Sequence, residues 1–324
     1  MKGNSDFAQV LRLIKGARRV LLCTHLMPDA DALGSMLALG YLCDHLGIAH
    51  ELVCHHQVPS FLRFLPGSER IRLPKDVEQE SFDLALSIDA SDAERLGDAK
   101  ALFLRTPINV QMDHHRTNTM FAQHNIVMDK LPASGSLVFD FFEAAGIPIT
   151  QPIAICLYAA ISTDTGNFSF GSVSARTFQQ IAHLMDCGLP LTETARALHL
   201  MQDKPQVLLQ GRALYSLNFS EDGSLSEMRL TRQDFTDCQA GSEHADSIVN
   251  LGLYIPGVKM CYLATEQEDG IKFSLRAIAP WRVSDIASSF GGGGHAQAAG
   301  CTLPGPIEEA IARVRAAMLA ALSG

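Results

Sequence analysis

The chain has 324 residues, 47% of them hydrophobic, and a net charge of −9. This length predicts two domains, each with enough apolar residues for a packed core. The acidic balance and the lack of a basic tract argue against long duplex nucleic acid as a partner, but short oligonucleotides and nucleotides stay open. No signal-peptide core, membrane-length apolar stretch or C-x-x-C pair occurs in the sequence. We therefore expect a soluble cytoplasmic protein with reduced thiols and no membrane partner.

The first predicted strand, 20–23, leads into a turn with three polar residues. His25, Asp29 and Asp31 lie between this apolar run and a predicted helix at 31–46. In open α/β sheets, ligands bind at the carboxyl ends of the strands, where this turn would lie. Because two carboxylates and an imidazole are costly to crowd together without a cation, the turn predicts a divalent metal. The alternative is a polar loop with a helix-capping Asp.

A short second strand is predicted at 49–53, and a third predicted strand, 83–88, also ends at an acidic turn. Asp89 lies one position beyond this strand, as His25 does in the first unit. Asp92 precedes a short predicted helix at 94–96, where an aspartate is a good cap. We therefore predict that Asp89 binds metal and that Asp92 caps the helix.

A fourth predicted strand, 107–112, is followed by three titratable residues in succession, Asp113, His114 and His115. Such residues directly after a buried strand are costly unless they serve a site. An adjacent histidine pair preceded by an aspartate favours metal chemistry over a structural histidine. Asp164 closes a strongly apolar predicted helix, where capping explains it about as well as metal ligation does.

The apolar pattern changes towards the carboxyl terminus and divides the chain. We predict a first domain at 1–188, a largely helical connection at 189–210 and a second domain at 211–324. In the second domain, two turn signals each lie between strand-like runs and predict two hairpins, 214–230 and 258–278.

A run of four glycines, 291–294, lies between a predicted helix and a predicted strand. It could be a flexible hinge, but hinges are unusual inside a compact domain. Glycines also let a backbone approach a phosphate and present N–H groups to it. His295 and Arg276 could face the same ligand, although Arg276 alone could also be an ordinary surface charge.

Together these residues resemble the DHH phosphoesterase family, in the branch whose second domain is called DHHA1, and most closely the bacterial nano-RNase/pAp-phosphatase group. The resemblance covers nearly the whole chain. Its motifs are His25, Asp29 and Asp31 with Gly34 and Ser35; Asp89 with Ser91 and Asp92; Asp113, His114 and His115 with Asn118; Thr163 to Gly166 with Phe168; Ser274 to Arg276; and Gly291 to His295 with Ala298 to Gly300.

The resemblance implies two manganese ions per subunit, with magnesium or cobalt as alternatives. One ion would be held by His25, Asp29 and Asp89, and the other by Asp31, Asp89, His114 and Asp164, with Asp89 bridging. The implied catalytic residues are Asp89, His114 and His115, with His115 against the scissile phosphate. The implied substrate-binding residues are His115, Arg116, Arg276, Gly292, Gly293, Gly294 and His295.

The implied fold is α/β, with a parallel-sheet DHH domain that has helices on both faces and a smaller α/β DHHA1 domain with a mixed sheet. The active site would lie in the cleft between the domains. Two departures bear on substrate preference: 134–136 reads Ser-Gly-Ser where relatives often have Thr-Gly-Glu, and Ala277 stands where they often have Ser.

The implied function is hydrolysis of short oligonucleotides or linear dinucleotides, such as pApA and pGpG, to mononucleotides. A metal-activated water would attack phosphorus, and pAp phosphatase activity would be a second reaction. Two alternatives stay open: a cyclic di-AMP phosphodiesterase, and a catalytically silent nucleotide-binding sensor. Because family members are often dimers, we expect a homodimer.

Overall fold

The computed structural model describes residues 3–169, 173–245 and 247–323. The chain divides into two compact units, Met1–Met201 and Gln202–Gly324. The division lies inside the predicted connection at 189–210, so the domain boundaries stay a prediction. Within the described ranges, no helix is long and apolar enough to cross a membrane.

Unit 1 is built on one six-stranded parallel sheet. Its strands are β1 (Arg19–Thr24), β2 (Ala49–Val53), β3 (Ile71–Arg72), β4 (Leu84–Ile88), β5 (Ile108–Asp113) and β6 (His124–Val127). The order across the sheet is β3-β2-β1-β4-β5-β6, and every neighbouring pair is parallel. The chain therefore changes direction across the sheet between β1 and β4, where open α/β sheets leave a crevice for a ligand.

Helices cover both faces of this sheet. They are α1 (Phe7–Gly16), α2 (Ala30–His45), α3 (Ala99–Arg105), α4 (Ser134–Ala145), α5 (Gln151–Asp164), α6 (Ala175–Asp186) and α7 (Leu191–Ala195). Val20 and Leu22 of β1 pack into the core shared with α2, α4 and α5, while Leu21 and Cys23 pack into the core shared with α3. Burial on both faces explains why the strand sequences are apolar without alternation.

Two glycines allow α2 and α4 to approach α5 closely. A Cβ on Gly34 would lie 2.3 Å from the carbonyl oxygen of Cys156, and a Cβ on Gly135 would lie 2.5 Å from the Cβ of Ala160. Both partners belong to α5, whose last residue is Asp164. This packing therefore fixes the position of Asp164 relative to α2 and α4.

Unit 2 contains a mixed sheet and four α-helices among its described residues, with two 3₁₀ helices at Ser242–Ala245 and Ile248–Tyr254. Its strands are β7 (Asn218–Phe219), β8 (Leu225–Leu230), β9 (Met260–Gln267), β10 (Gly270–Ala277), β11 (Gly293–His295) and β12 (Ala298–Leu303). Its helices are α8 (Lys204–Tyr215), α9 (Arg232–Cys238), α10 (Val283–Ser289) and α11 (Ile307–Ser323). The order is β11-β12-β10-β9-β8-β7, with β8 and β9 parallel and the other pairs antiparallel. The predicted parallel and mixed sheets are both confirmed.

Two local predictions were wrong. The strand expected to start at residue 214 begins only with β7, because α8 continues to Tyr215. Asp203 caps that helix by accepting a hydrogen bond from the backbone N–H of Gln206, at 3.0 Å. Asp113 is the last residue of β5 rather than the first residue after it.

Candidate metal centre

The loops after three strands and the ends of two helices bring together six side chains that the sequence singled out. They are His25 after β1, Asp29 and Asp31 at the start of α2, Asp89 after β4, His114 after β5 and Asp164 at the end of α5. Possible metal-ligating atoms lie within 4.8 Å of one another in each of three groups: His25, Asp29 and Asp89; Asp31, His114 and Asp164; and Asp89, His114 and His115. The first group is the first ligand set that the resemblance implied. The second group is the second implied set without the bridging Asp89.

Asp89 stands between these two sets. Its Oδ2 lies 3.5 Å from Nε2 of His25, and its Oδ1 lies 3.6 Å from Nε2 of His114. Nε2 of His114 is also 3.7 Å from Oδ2 of Asp31 and 3.3 Å from Oδ2 of Asp164. One carboxylate can therefore reach both groups, which is the geometry that a bridging ligand needs.

The two histidines are oriented by backbone carbonyls. Nδ1 of His25 donates to the carbonyl oxygen of Leu26 at 2.8 Å, and Nδ1 of His114 donates to that of Leu131 at 3.2 Å. Each ring therefore directs its Nε2 towards the carboxylates. A hydrogen bond of this kind fixes the ring and the tautomer of a metal-ligating histidine.

The position of Asp29 is compatible with both of the roles that the sequence left open, helix capping and metal binding. Its Oδ1 accepts a hydrogen bond from the backbone N–H of Ala32 at 2.9 Å, so it caps α2. The same oxygen lies 3.9 Å from Nε2 of His25. Asp29 is also the most exposed carboxylate of the six residues, with 49% of its side chain accessible.

The amino terminus of α4 supports the centre in a way that sequence reasoning missed. Asp31 is buried, and its two carboxylate oxygens accept hydrogen bonds from the backbone N–H groups of Ser134 and Gly135 at 2.7 and 2.8 Å. The hydroxyl of Ser134 donates to Oδ1 of Asp89 at 2.9 Å. A helix amino terminus favours negative charge, so α4 stabilises two of the clustered carboxylates at once.

The backbone around the centre is strained. Among the described residues, six non-glycine residues have positive φ, and five of them lie in unit 1, namely Met27, Asp89, Met120, Asn167 and Phe168. Asp89 itself has φ of +59°. A left-handed backbone costs a residue with a Cβ roughly 1–2 kcal/mol, and such strain concentrates at functional sites.

Crowding of charge shifts the acid–base behaviour of the centre. Burial, with the neighbouring Asp89 and Asp164, raises the pKa of Asp31 well above its usual range. Burial also raises the pKa of Asp164 to about 6, although the nearby His114 opposes this shift. Burial disfavours a charged His25, but its contacts with Asp29 and Asp89 outweigh burial and raise its pKa to about 10. These carboxylates need positive charge beside them, which a bound cation would supply.

His115 is held by a carboxylate, whereas the other two histidines are oriented by backbone carbonyls. Its Nδ1 donates to Oδ1 of Asp113 at 2.7 Å and lies 3.7 Å from Oδ1 of Asp89. The contact with Asp113 raises the pKa of His115. Burial alone would raise the pKa of Asp113, but hydrogen bonds from His115 and Asn118 hold it below its usual range. With 41% of its side chain accessible, His115 can reach a ligand at the centre.

The chemistry of the donor set fits divalent cations. Carboxylate oxygens, which suit magnesium and manganese, form the majority, and the imidazole nitrogens suit first-row transition metals. A single bridging carboxylate between two groups of ligands fits a pair of cations rather than one.

The substrate-binding residues predicted in unit 2 lie on β10, on β11 and just before β11, and these two strands flank β12. Arg276 on β10 and His295 on β11 both pair with Ala298 on β12, so they occupy one row across the sheet. Nε of Arg276 donates to Oδ1 of Asn250 at 3.1 Å. The side chain of His295 lies outside the part of the chain that the structure describes, and Arg116 of unit 1 is exposed.

The glycine run is partly a strand, which corrects the prediction of a loop. A Cβ on Gly292 would lie 2.1 Å from the carbonyl oxygen of Gly300, and one on Gly294 would lie 2.6 Å from that of Ala298. These two glycines are therefore required by the close approach of β12. A Cβ on Gly293 would meet nothing within 4 Å, so the space on the Cβ side of Gly293 is open.

The fold and the centre define an α/β protein of two units with a carboxylate-rich site for divalent cations. Residues 19–161 match the model of the DHH family, N-terminal domain, and residues 239–324 match that of the DHHA1 domain. A bifunctional oligoribonuclease and PAP phosphatase NrnA from Thermus thermophilus is 30% identical over 312 residues, which cover 95% of this chain and 90% of that protein. The chain belongs to the DHH family and carries a DHHA1 domain, as its motifs predicted.

Two further comparisons support this assignment. A protein of the same name from Bacillus subtilis is 22% identical over 301 residues, which cover 91% of this chain and 92% of that protein. The crystal structure of an exopolyphosphatase-related protein from Bacteroides fragilis has a TM-score of 0.89 at 24% identity, and the match covers 96% of this chain and 94% of that chain. This last comparison confirms the fold.

Proposed function

We propose that this chain is a metal-dependent phosphodiesterase that hydrolyses short oligonucleotides and linear dinucleotides, such as pApA and pGpG, to mononucleotides. A second reaction would be removal of phosphate from pAp. The observation that carries this proposal is the convergence of Asp89 with three further carboxylates and two imidazoles. It occurs in a chain that aligns over 90% of a relative named as an oligoribonuclease and PAP phosphatase.

We propose manganese as the resident metal, with two ions per subunit. One ion would be held by His25, Asp29 and Asp89, and the other by Asp31, Asp89, His114 and Asp164. When bound, such a pair lowers the pKa of a water molecule and neutralises charge on the attacked phosphate.

The residues of the chain would perform the positioning that this chemistry needs. The amino terminus of α4 holds Asp31 and Asp89 in place through Ser134 and Gly135. Because its contact with Asp113 raises the pKa of His115, the ring would carry a proton on both nitrogens. Nδ1 would donate to Asp113, and Nε2 could donate to an oxygen of the scissile phosphate or of the leaving group. Asp89, His114 and His115 are therefore our proposed catalytic residues.

Substrate length and end groups would be selected by cationic and backbone groups. We propose that Arg276 and His295 bind the phosphate or base farthest from the scissile bond, and that the glycines Gly292, Gly293 and Gly294 take part, with open space on the Cβ side of Gly293. Arg116, which follows the histidine pair, would contact the substrate from the metal side. The net charge of −9 agrees with short substrates, because a long polyanion would be repelled.

The test is turnover of pAp, pApA, pGpG and cyclic di-AMP side by side, with manganese supplied and with a chelator as the control. We expect mononucleotide release from the linear substrates, and none in the chelator. Faster turnover of cyclic di-AMP would favour a signalling phosphodiesterase instead. Tight binding of these ligands without turnover would favour a silent sensor. The homodimer and the cytoplasmic location stay predictions, of which light scattering tests the first.

A further inference from the structure

Strand β5 buries a polar side chain that is not one of the proposed metal ligands. Gln111 is fully buried, two residues before Asp113 in the same strand. Its Nε2 donates a hydrogen bond to Oδ1 of Asn118, in the loop that follows the histidine pair. Burial of an amide costs free energy unless it is hydrogen-bonded, so the partner of Gln111 matters for what the residue does.

Asn118 passes this contact on to the aspartate that holds His115. Nδ2 of Asn118 donates to Oδ2 of Asp113 and to the carbonyl oxygen of Ala90, the latter at 3.2 Å. The other oxygen of Asp113 accepts from Nδ1 of His115 at 2.7 Å. Three successive hydrogen bonds therefore lead from Gln111 through Asn118 and Asp113 to His115.

The orientation of the Asn118 amide is defined at both ends. Its Oδ1 accepts from Nε2 of Gln111 and from the backbone N–H of Met120, the latter at 2.6 Å, and both of these groups can only donate there. Its Nδ2 faces an ionised carboxylate and a backbone carbonyl, which can only accept. A flipped amide would place oxygen against oxygen and N–H against N–H.

We propose that Gln111 and Asn118 are positioning residues that hold Asp113 where it keeps the Nδ1 proton of His115 and leaves Nε2 of that ring for the substrate. The proposal rests on the proposed function of the site, in which His115 contacts the scissile phosphate. Neither Gln111 nor Asn118 touches the substrate. The hydrogen bond at one nitrogen of an imidazole fixes the proton on that nitrogen and the direction in which the other nitrogen points, and this is the property that the relay controls.

The test compares two relay variants with a matched control. Gln111→Met keeps the side-chain volume but removes the donor, and Asn118→Leu removes the central link. The control is Gln180→Met on α6. Gln180 is equally buried, and its Nε2 donates to the carbonyl oxygen of Ser136 at 3.1 Å and to Oδ1 of Asp140 at 2.9 Å, outside the relay.

The first measurement is proton NMR of the metal-free proteins, with the Nδ1–H resonance of His115 assigned by its loss in His115→Gln. In the wild type and in Gln180→Met, we expect a downfield resonance that exchanges slowly with water. In both relay variants it should move upfield and exchange faster. The second measurement is turnover of pApA with manganese, where we expect kcat to fall by roughly 10- to 100-fold in the relay variants and KM to stay within about twofold.

An unchanged Nδ1–H resonance in Asn118→Leu would overturn the relay, as would an equal change in Gln180→Met. If Gln111→Met does not fold, Asn118→Leu decides the same question. Failure of the proposed function is separable from failure of the relay. A wild type that hydrolyses none of the nucleotides refutes the function, while the NMR comparison of the metal-free proteins still decides whether the relay orients His115.

Discussion

The hydroxyl of Ser134 provides a sharp test of how α4 supports the metal centre. Ser134 is fully buried and donates to Oδ1 of Asp89 at 2.9 Å, while its backbone N–H bonds Asp31. Ser134→Ala removes only the first of these bonds, since the backbone contact does not depend on the side chain. A hydrogen bond to a charged group contributes about 1.5–3 kcal/mol, so the metal-free variant should lose that much free energy of unfolding. Because Asp89 is also less well oriented in this variant, the affinity of the variant for manganese should fall at least about tenfold.

The same helix offers a matched control. Ser136 is two residues further along α4 and is also fully buried, but within the described ranges its hydroxyl has no hydrogen-bond partner. Ser136→Ala therefore makes the same chemical change without removing a bond, and we expect it to be neutral or slightly stabilising. Urea denaturation in chelator measures the free energy of unfolding, and titration calorimetry measures manganese binding. If the two alanine variants behave alike in both assays, the support that we assign to α4 is wrong.

Three further predictions concern the metal centre and Arg276, one of the proposed substrate-binding residues. Asp89→Ala and Asp89→Asn should both lose hydrolysis. The Asn variant should remain closer to the wild type in thermal stability, because asparagine tolerates the left-handed backbone at this position. Near-normal activity in either variant would count against a bridging role for Asp89. Arg276→Ala should raise KM about tenfold for substrates with a terminal phosphate, such as pApA, and leave kcat nearly unchanged. ApA, which lacks that phosphate, is the control substrate. If KM for pApA is the same in the variant and the wild type, Arg276 does not bind the terminal phosphate. Since the pKa of His25 is raised to about 10, a proton competes with the cation, so manganese affinity measured by calorimetry should increase between about pH 6 and about pH 9. A manganese affinity that does not change with pH would contradict this assignment. For the same reason, the contribution of charged His25 to the stability of the metal-free protein is complete below its ordinary pKa of 6.5 and is lost as the pH rises through about 10.

Much of unit 1 could be predicted from the sequence because its strands are apolar runs that end in polar turns. The predicted strand at 49–53 coincides with β2, and the predicted strand at 83–88 differs from β4 by one residue. Their positions just after predicted strands also indicated that His25 and Asp89 belong to one metal site, because the carboxyl ends of parallel strands lie at the same edge of the sheet.

Other elements carried too little local signal to be predicted. Strand β6 (His124–Val127) has four residues, two of them polar, and it is defined by pairing with β5 rather than by its own pattern. The sequence indicated a strand at residues 214–219, but α8 extends through Tyr215 because Leu209 and Ala213 form its buried face. In such short segments, tertiary packing overrides local preference.

The support from α4 could not be predicted because it depends on contacts that are distant in the chain. Ser134 lies 103 residues beyond Asp31 and 45 beyond Asp89, and no local pattern links them. The glycine run shows the opposite difficulty. The sequence indicated that glycine was needed there, but the reason for Gly292 and Gly294 is the close approach of β12, which becomes visible only when the strands are paired.

The account depends above all on two cations sharing Asp89, and the most direct test is anomalous diffraction from crystals grown with manganese. We predict two anomalous peaks about 3.5–4 Å apart, as in other two-metal sites, with a carboxylate oxygen of Asp89 bound to each. One peak should lie beside His25 and the other beside His114 and Asp164. A crystal with no manganese at these residues, or with a single ion that Asp89 does not touch, would contradict the account.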